Sequence, residues 1–284
     1  MPKLLTKRKQ RWADQFKPDL LRGTALNPNI ASADRYYQKL EKLVVQMSSE
    51  YTKAIEALFD TKHAKEYFAQ DITIAAQAKI LTNALTKKFD DLFAAVSKPL
   101  AEQMASEADK TSSASLHMSL KQLSGGLSLP TTTLQGPLMD VLNATVTENV
   151  GLIKSIASQY LDGVQGAVMR SITSGNGLQD LVPFLEKHEG ITKRRARFIA
   201  YDQTRKAFNN LNKGRMQAVG LKEYEWLHSG GSKQPRHDHI EMSGNVYRFD
   251  DPPVIDKKTG ERGIPGQLPG CRCRMVPVIS FDED

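Results

Sequence analysis

Hydrophobic positions over the first two thirds of the chain recur at steps of three and four, the spacing that gathers them on one face of an α-helix. Tyr36, Leu40, Val44, Met47, Tyr51, Ile55 and Leu58 form one such stripe, and Ser32 stands where a helix N-cap belongs. A second stripe runs from Ile72 through Ile80, Leu81, Leu85, Phe89 and Phe93 to Val96. Pro99 should kink or end it, because proline lacks the amide and crowds the preceding turn. Residues 105–123 are rich in Ser, Ala and Lys and run into Ser124-Gly125-Gly126, so they read as a linker or helix break. Pro137 suits the first turn of the next helix. A long stripe from Val150 to Ile172 follows and stops at Gly175-Asn176-Gly177. A short helix over 178–188 should end at Gly190, and another over 191–219 at Gly220.

Beyond Gly220 the period changes from helical to alternating. Residues 223–228 and 245–249 alternate as half-buried strands do, and 271–279 reads as a closing strand. The stretch 250–270 between them holds four prolines and four glycines, too many for regular structure. Residues 1–30 show little periodicity and read as an extended arm. The pattern as a whole predicts a mainly helical α+β protein. Long N-terminal helices precede a helix-rich domain closed by a small antiparallel sheet.

Composition narrows the class without altering this picture. At 284 residues, with 40% hydrophobic residues, the chain is long enough for a real core, in one large or two modest domains. No stretch approaches the roughly 20 apolar residues of a membrane span, and the basic N-terminus leads into no secretory h-region. Lys and Arg exceed Asp and Glu by seven, which calls for an anionic partner. The excess is local: residues 1–24 hold seven cations against two anions, and residues 193–215 hold eight against Asp202 alone. The two cysteines, Cys271 and Cys273, would stand too far apart on a strand to bridge each other, which suits a reducing compartment.

The order of motifs in the C-terminal half is specific. A helix carries Arg195-Ala196-Arg197-Phe198 through Tyr201-Asp202-Gln203-Thr204; then come Gly220, Tyr224-Glu225-Trp226, Arg236-His237-Asp238-His239 and Gly244. A Pro/Gly loop leads on to Pro269-Gly270-Cys271-Arg272-Cys273 and Pro277-Val278. Over roughly 135–280 this resembles the phage Mu F-like head morphogenesis family, the minor head (minor capsid) proteins of tailed bacteriophages. The resemblance implies a family motif of Arg236, His239, Gly244, Cys271, Arg272 and Cys273. It also implies three regions: a basic arm (1–30), a helical N-terminal region (31–125) and a Mu F-like C-terminal domain (126–284). The function it implies is head morphogenesis at the capsid interior or portal vertex of the virion, with assembly in the host cytoplasm. Implied partners are the portal protein, the major capsid or scaffolding protein and packaged double-stranded DNA, with no membrane. No enzymatic activity is implied.

Three groups of residues carry candidate chemistry. His237, His239, Cys271 and Cys273 form two pairs spaced two apart, and four such ligands would suit tetrahedral zinc, the one cofactor weighed. The competing reading packs the cysteines as small buried hydrophobes. Histidines beside Asp238, Glu241, Asp250 and Asp251 would suit a metal-dependent nucleic-acid enzyme or toxin-like domain, the alternative to a virion protein. Against this, Arg236 can pair with a carboxylate and His239 can bridge two strands, which makes both structural. Lys7, Arg8, Lys9 and Arg11 in the arm, with Lys193, Arg194, Arg195, Arg197, Arg205, Lys206, Lys213 and Arg215 on the basic helix, are candidates for salt-sensitive contact with DNA.

Overall fold

Four long helices carry most of the chain: α1 (Ile30–Phe59), α2 (Ile74–Leu123), α3 (Pro137–Ser174) and α4 (Leu178–Ala218). A short fifth, α5 (His237–Glu241), sits among the strands. The strands are β1 (Leu20–Arg22), β2 (Glu223–Leu227), β3 (Val246–Arg248), β4 (Val254–Asp256), β5 (Glu261–Arg262) and β6 (Arg274–Ser280). The computed structural model describes residues 20–59, 73–126, 131, 136–174, 178–230 and 234–280. Ile72 and the arm candidates Lys7, Arg8, Lys9 and Arg11 lie outside them. The mainly helical α+β class expected from the periodicity is the class observed.

The helices are longer than the sequence pattern suggests, for identifiable reasons. Helix α1 starts at Ile30, so Ser32 lies inside it, buried and accepting a hydrogen bond from Arg35 instead of capping the helix. Helix α2 continues through Pro99 and through the stretch read as a linker. In that stretch Ala105, Ala108, Ser112, Leu116, Ser119 and Leu120 are buried at three- and four-residue steps. The helix therefore has a buried stripe made mostly of Ala and Ser, which a count of large apolar residues misses. It ends at Gly125 and Gly126, whose positive φ values suit glycine. Helix α4 runs straight through Gly190, held on either side by buried Leu185 and Ala196.

The chain forms two compact units. Among the described residues, one comprises Ala31–Met104 with Thr145–Tyr201, the other 20–30, Ala105–Ala144 and 202–280. This grouping interleaves along the sequence; it shares the 30/31 division of the linear reading and has no division at 125/126. Helices α2, α3 and α4 each contribute residues to both units, because a long helix can bury different faces in different cores. In the first unit Leu40, Val44, Met47, Tyr51 and Ile55 are buried, as are Phe89, Phe93, Ile153, Ile156 and Tyr160. Tyr51 meets Tyr160 edge-on at 5.9 Å and Phe89 at 6.1 Å.

The second unit holds the sheet, four antiparallel strands in the order β1-β6-β2-β3. Trp226 pairs in register with Met275, and Tyr224 pairs with Pro277 on one side and Tyr247 on the other. Inward-facing Tyr224, Trp226 and Met275 join Leu26, Leu116, Leu120, Phe208 and Met216 in one core. Strand β1 lies in the stretch that the sequence pattern gives as an extended arm. It pairs with β6, and the pairing continues where Gly23 and Leu26 donate to the Pro277 and Met275 carbonyls, both at 2.9 Å. Gly23 is needed here because a Cβ would collide with Ser119 Oγ on α2. The Pro/Gly-rich loop also contains regular structure, a small hairpin of β4 and β5 with a register shift.

Candidate functional site

The motif residues His239, Cys271 and Cys273 converge beneath the sheet. Helix α5 is a turn and a half long, opened by the Arg236 carbonyl, which accepts the amides of His239 and Ile240 at 3.1 and 3.2 Å. That turn directs His239 inward, edge-on to the Trp226 ring with centroids 5.1 Å apart. Gly244 closes the turn after α5 at a φ of 88°, where its amide donates to the Trp226 carbonyl at 2.8 Å. The cysteines precede β6 and are not part of it, as the closing-strand reading had them. The turn that holds them is fixed from outside. Arg236 donates to the Pro269 carbonyl at 2.9 Å, and the Gly270 amide donates to Asp202 at 2.6 Å. Arg236 therefore grips backbone, where the sequence suggested a carboxylate partner.

His239 Nε2 lies 3.1 Å from the Ile255 carbonyl on β4. A carbonyl only accepts, so Nε2 carries a proton, and Nδ1 is the ring nitrogen that faces the sulfurs. Nδ1 is 3.4 Å from Cys271 Sγ and 3.6 Å from Cys273 Sγ, and both thiols are free. All three side chains are at most 4% exposed. Hydrogen bonding from the Cys273 thiol outweighs burial and, with help from His239, holds the Cys271 pKa below the ordinary thiol value. Cys273 is pushed upward by its bond to Cys271 and by burial. Burial opposes charge on His239, but the Cys271 bond and charge leave its pKa above the ordinary value.

The fourth residue of the tetrad read from sequence is not with the others. Successive helical residues are 100° apart, so His237 and His239 point to opposite sides of α5, and His237 is exposed. The carboxylates of the nuclease reading are held by neighbouring cations. Asp238 and Glu241 lie 2.5 and 3.6 Å from Lys257, Asp250 pairs with Arg248 at 2.7 Å, and Asp251 pairs with Arg262. Arg272 is exposed beside the two buried cysteines.

The basic helix divides by environment. In the first unit Arg194 and Arg197 are exposed, Lys193 pairs with Glu189 at 2.6 Å and Arg195 bonds Ser155 at 2.9 Å. Arg197 lies over the Tyr37 and Tyr201 rings at 5.7 and 5.5 Å. Phe198, on the same stretch, is 50% exposed. In the second unit Arg205 and Lys213 are half-buried, and Lys206 pairs with Asp202 at 3.1 Å. Arg215 is a correction: it is 2% exposed, bound to Asp109, Ser112 and the Thr131 carbonyl, and unavailable to DNA. Two contributors to the cluster lay beyond sequence reasoning. The Ile255 carbonyl is backbone in a loop read as irregular, and Asp202 was noted only as the lone anion of its helix.

A family model matches the stretch of chain that holds this cluster. Residues 162–276 match the family model described as "Phage Mu protein F like protein". The chain carries a Phage Mu F-like region. That region begins within α3, later than the resemblance suggested, and ends in β6, so it holds every motif residue from Arg236 to Cys273. The chain is also 30% identical over 287 aligned positions to an uncharacterized protein of Haemophilus influenzae (strain Rd). All of this chain aligns, but it spans only 59% of that relative's length. No solved structure matches the chain. No helix among the described residues is long and apolar enough to cross a membrane.

Proposed function

We propose that the chain acts in head morphogenesis of a tailed bacteriophage as a minor head protein. It sits at the capsid interior or portal vertex, against the portal and the major capsid or scaffolding protein. The observation that carries this is the Mu F-like match over 162–276, which contains the whole Arg236-to-Cys273 motif. The role is structural, and two features favour it over the metal-dependent nuclease. The acidic groups such an enzyme would use are paired with Lys257, Arg248 and Arg262, and His237 stands apart from His239. Packaged double-stranded DNA is the anionic partner, met by the exposed Arg194 and Arg197 and by the basic N-terminal residues.

The test is the protein's place and stoichiometry in intact particles. Quantitative mass spectrometry of purified heads, with labelling visible by electron microscopy, should find it at low copy, inside the shell or at one vertex. A protein present in the infected cell but missing from heads and their precursors at every stage overturns the reading.

A further inference from the structure

We propose that His239, Cys271 and Cys273 form a three-ligand site for a soft divalent cation of the zinc class. This inference stands on the cluster alone and is independent of the role in head assembly.

The first support is geometric. Zinc binds imidazole nitrogen at about 2.0–2.1 Å and thiolate at about 2.3 Å, so a tetrahedral site sets nitrogen and sulfur roughly 3.6 Å apart. The two such separations here are 3.4 and 3.6 Å, and all three ligand atoms lie within 4.8 Å of one another. The second is the far side of the ring. A metal-bound histidine almost always donates its other N–H to a carbonyl or carboxylate, which fixes tautomer and orientation. His239 Nε2 does this with the Ile255 carbonyl, and Trp226 backs the ring edge-on. The third is donor chemistry. Two thiolates and one imidazole favour zinc over magnesium or calcium, which require oxygen, and two cysteines are too few for the usual iron–sulfur cluster.

One ring nitrogen faces two sulfurs and can share a proton with only one of them. An ion satisfies all three groups together. It would tie α5 to the turn before β6, the two segments that Arg236 already joins through Pro269. The two protons lost by the cysteines pass to solvent, and no redox step is involved.

The full chain, purified under reducing conditions with metal supplied, is assayed for zinc content and then reconstituted with cobalt. The expected result is one equivalent, with a thiolate-to-cobalt charge-transfer band and tetrahedral visible bands. A lower thermal midpoint after chelation should be restored by zinc. Cys271→Ser and Cys273→Ser should each abolish the charge-transfer signature of the pair. His237→Ala should leave both content and spectrum unchanged. The wild-type measurement stands by itself whether or not the cysteine variants fold. Only trace metal, with both thiols titrating freely in the folded chain, overturns the proposal. So does a Cys271–Cys273 disulfide that persists with metal present, or loss of binding in His237→Ala.

Discussion

Arg215 shows how residue type and environment part company. Its charge placed it among DNA-facing candidates, yet it is buried against Asp109, whose own side chain is 17% exposed. Removing one partner of a buried ion pair leaves an uncompensated charge, at a cost of about 3–5 kcal/mol, the lower figure suiting the partial exposure of Asp109. Arg215→Ala should therefore lower the denaturant midpoint by an amount equivalent to about 3 kcal/mol. Replacing both residues together with apolar ones of matched volume should recover much of that loss. An Arg215→Ala protein as stable as wild type, but weaker in DNA binding, would show the surface reading to be right after all. His239 makes the same point. Sequence singled it out with His237 as one of a pair, and helical geometry separates them.

At the scale of elements, what sequence shows well is a stripe of large apolar residues. The α1 stripe from Tyr36 to Leu58 is buried as periodicity implies. Elements that lack such a stripe were the ones misread. The second half of α2 is packed through Ala and Ser, β1 owes its existence to β6, and the β4–β5 hairpin forms in a loop dense with Pro and Gly. Pro99 is expected to kink or end the helix, yet the helix continues, and the neighbouring Phe93 and Ala101 are buried on either side of it. The aromatic packing of α1 and α3 in the first unit has a consequence for pH. Burial pushes the Tyr51 and Tyr160 hydroxyls up to about 12, above the ordinary value of 10. Their contribution to stability is complete below pH 10, where both folded and unfolded states keep the proton. Between 10 and about 12 the unfolded chain holds fewer protons, so stability falls as pH rises, by at most about 1.4 kcal/mol per pH unit for each tyrosine. Urea midpoints should drop steadily over that interval, and tyrosinate absorbance from these rings should rise together with unfolding. Titration of every tyrosine while the circular dichroism stays native would contradict this.

At the scale of the whole molecule the net positive charge resolves into residues with different duties. Lys193 and Lys206 are engaged by Glu189 and Asp202, and Arg215 is internal. That leaves Arg194 and Arg197 as the most exposed cations of the basic helix. DNA binding by the full chain should weaken steeply with salt, because each neutralised phosphate releases counterions. Replacing Arg194 and Arg197 with Ala should flatten the log–log salt slope by about two if each meets one phosphate. A slope unchanged in that variant would move the contact to the N-terminal basic residues, and binding insensitive to salt would remove DNA from the partners.

The sequence by itself determined the helical class, the strand-rich ending and the motif that lies within the Mu F-like region. Those features rest on local period and on side-chain identity, both of which are properties of the chain before it folds. Tertiary structure decided which charges face water, which short segments become strands, and which three of four candidate ligands meet. Burial and strand pairing depend on partners distant in sequence: Arg215 lies 106 residues from Asp109, and His239 lies 32 from Cys271. No local pattern encodes such distances, and only the packed chain brings those atoms together.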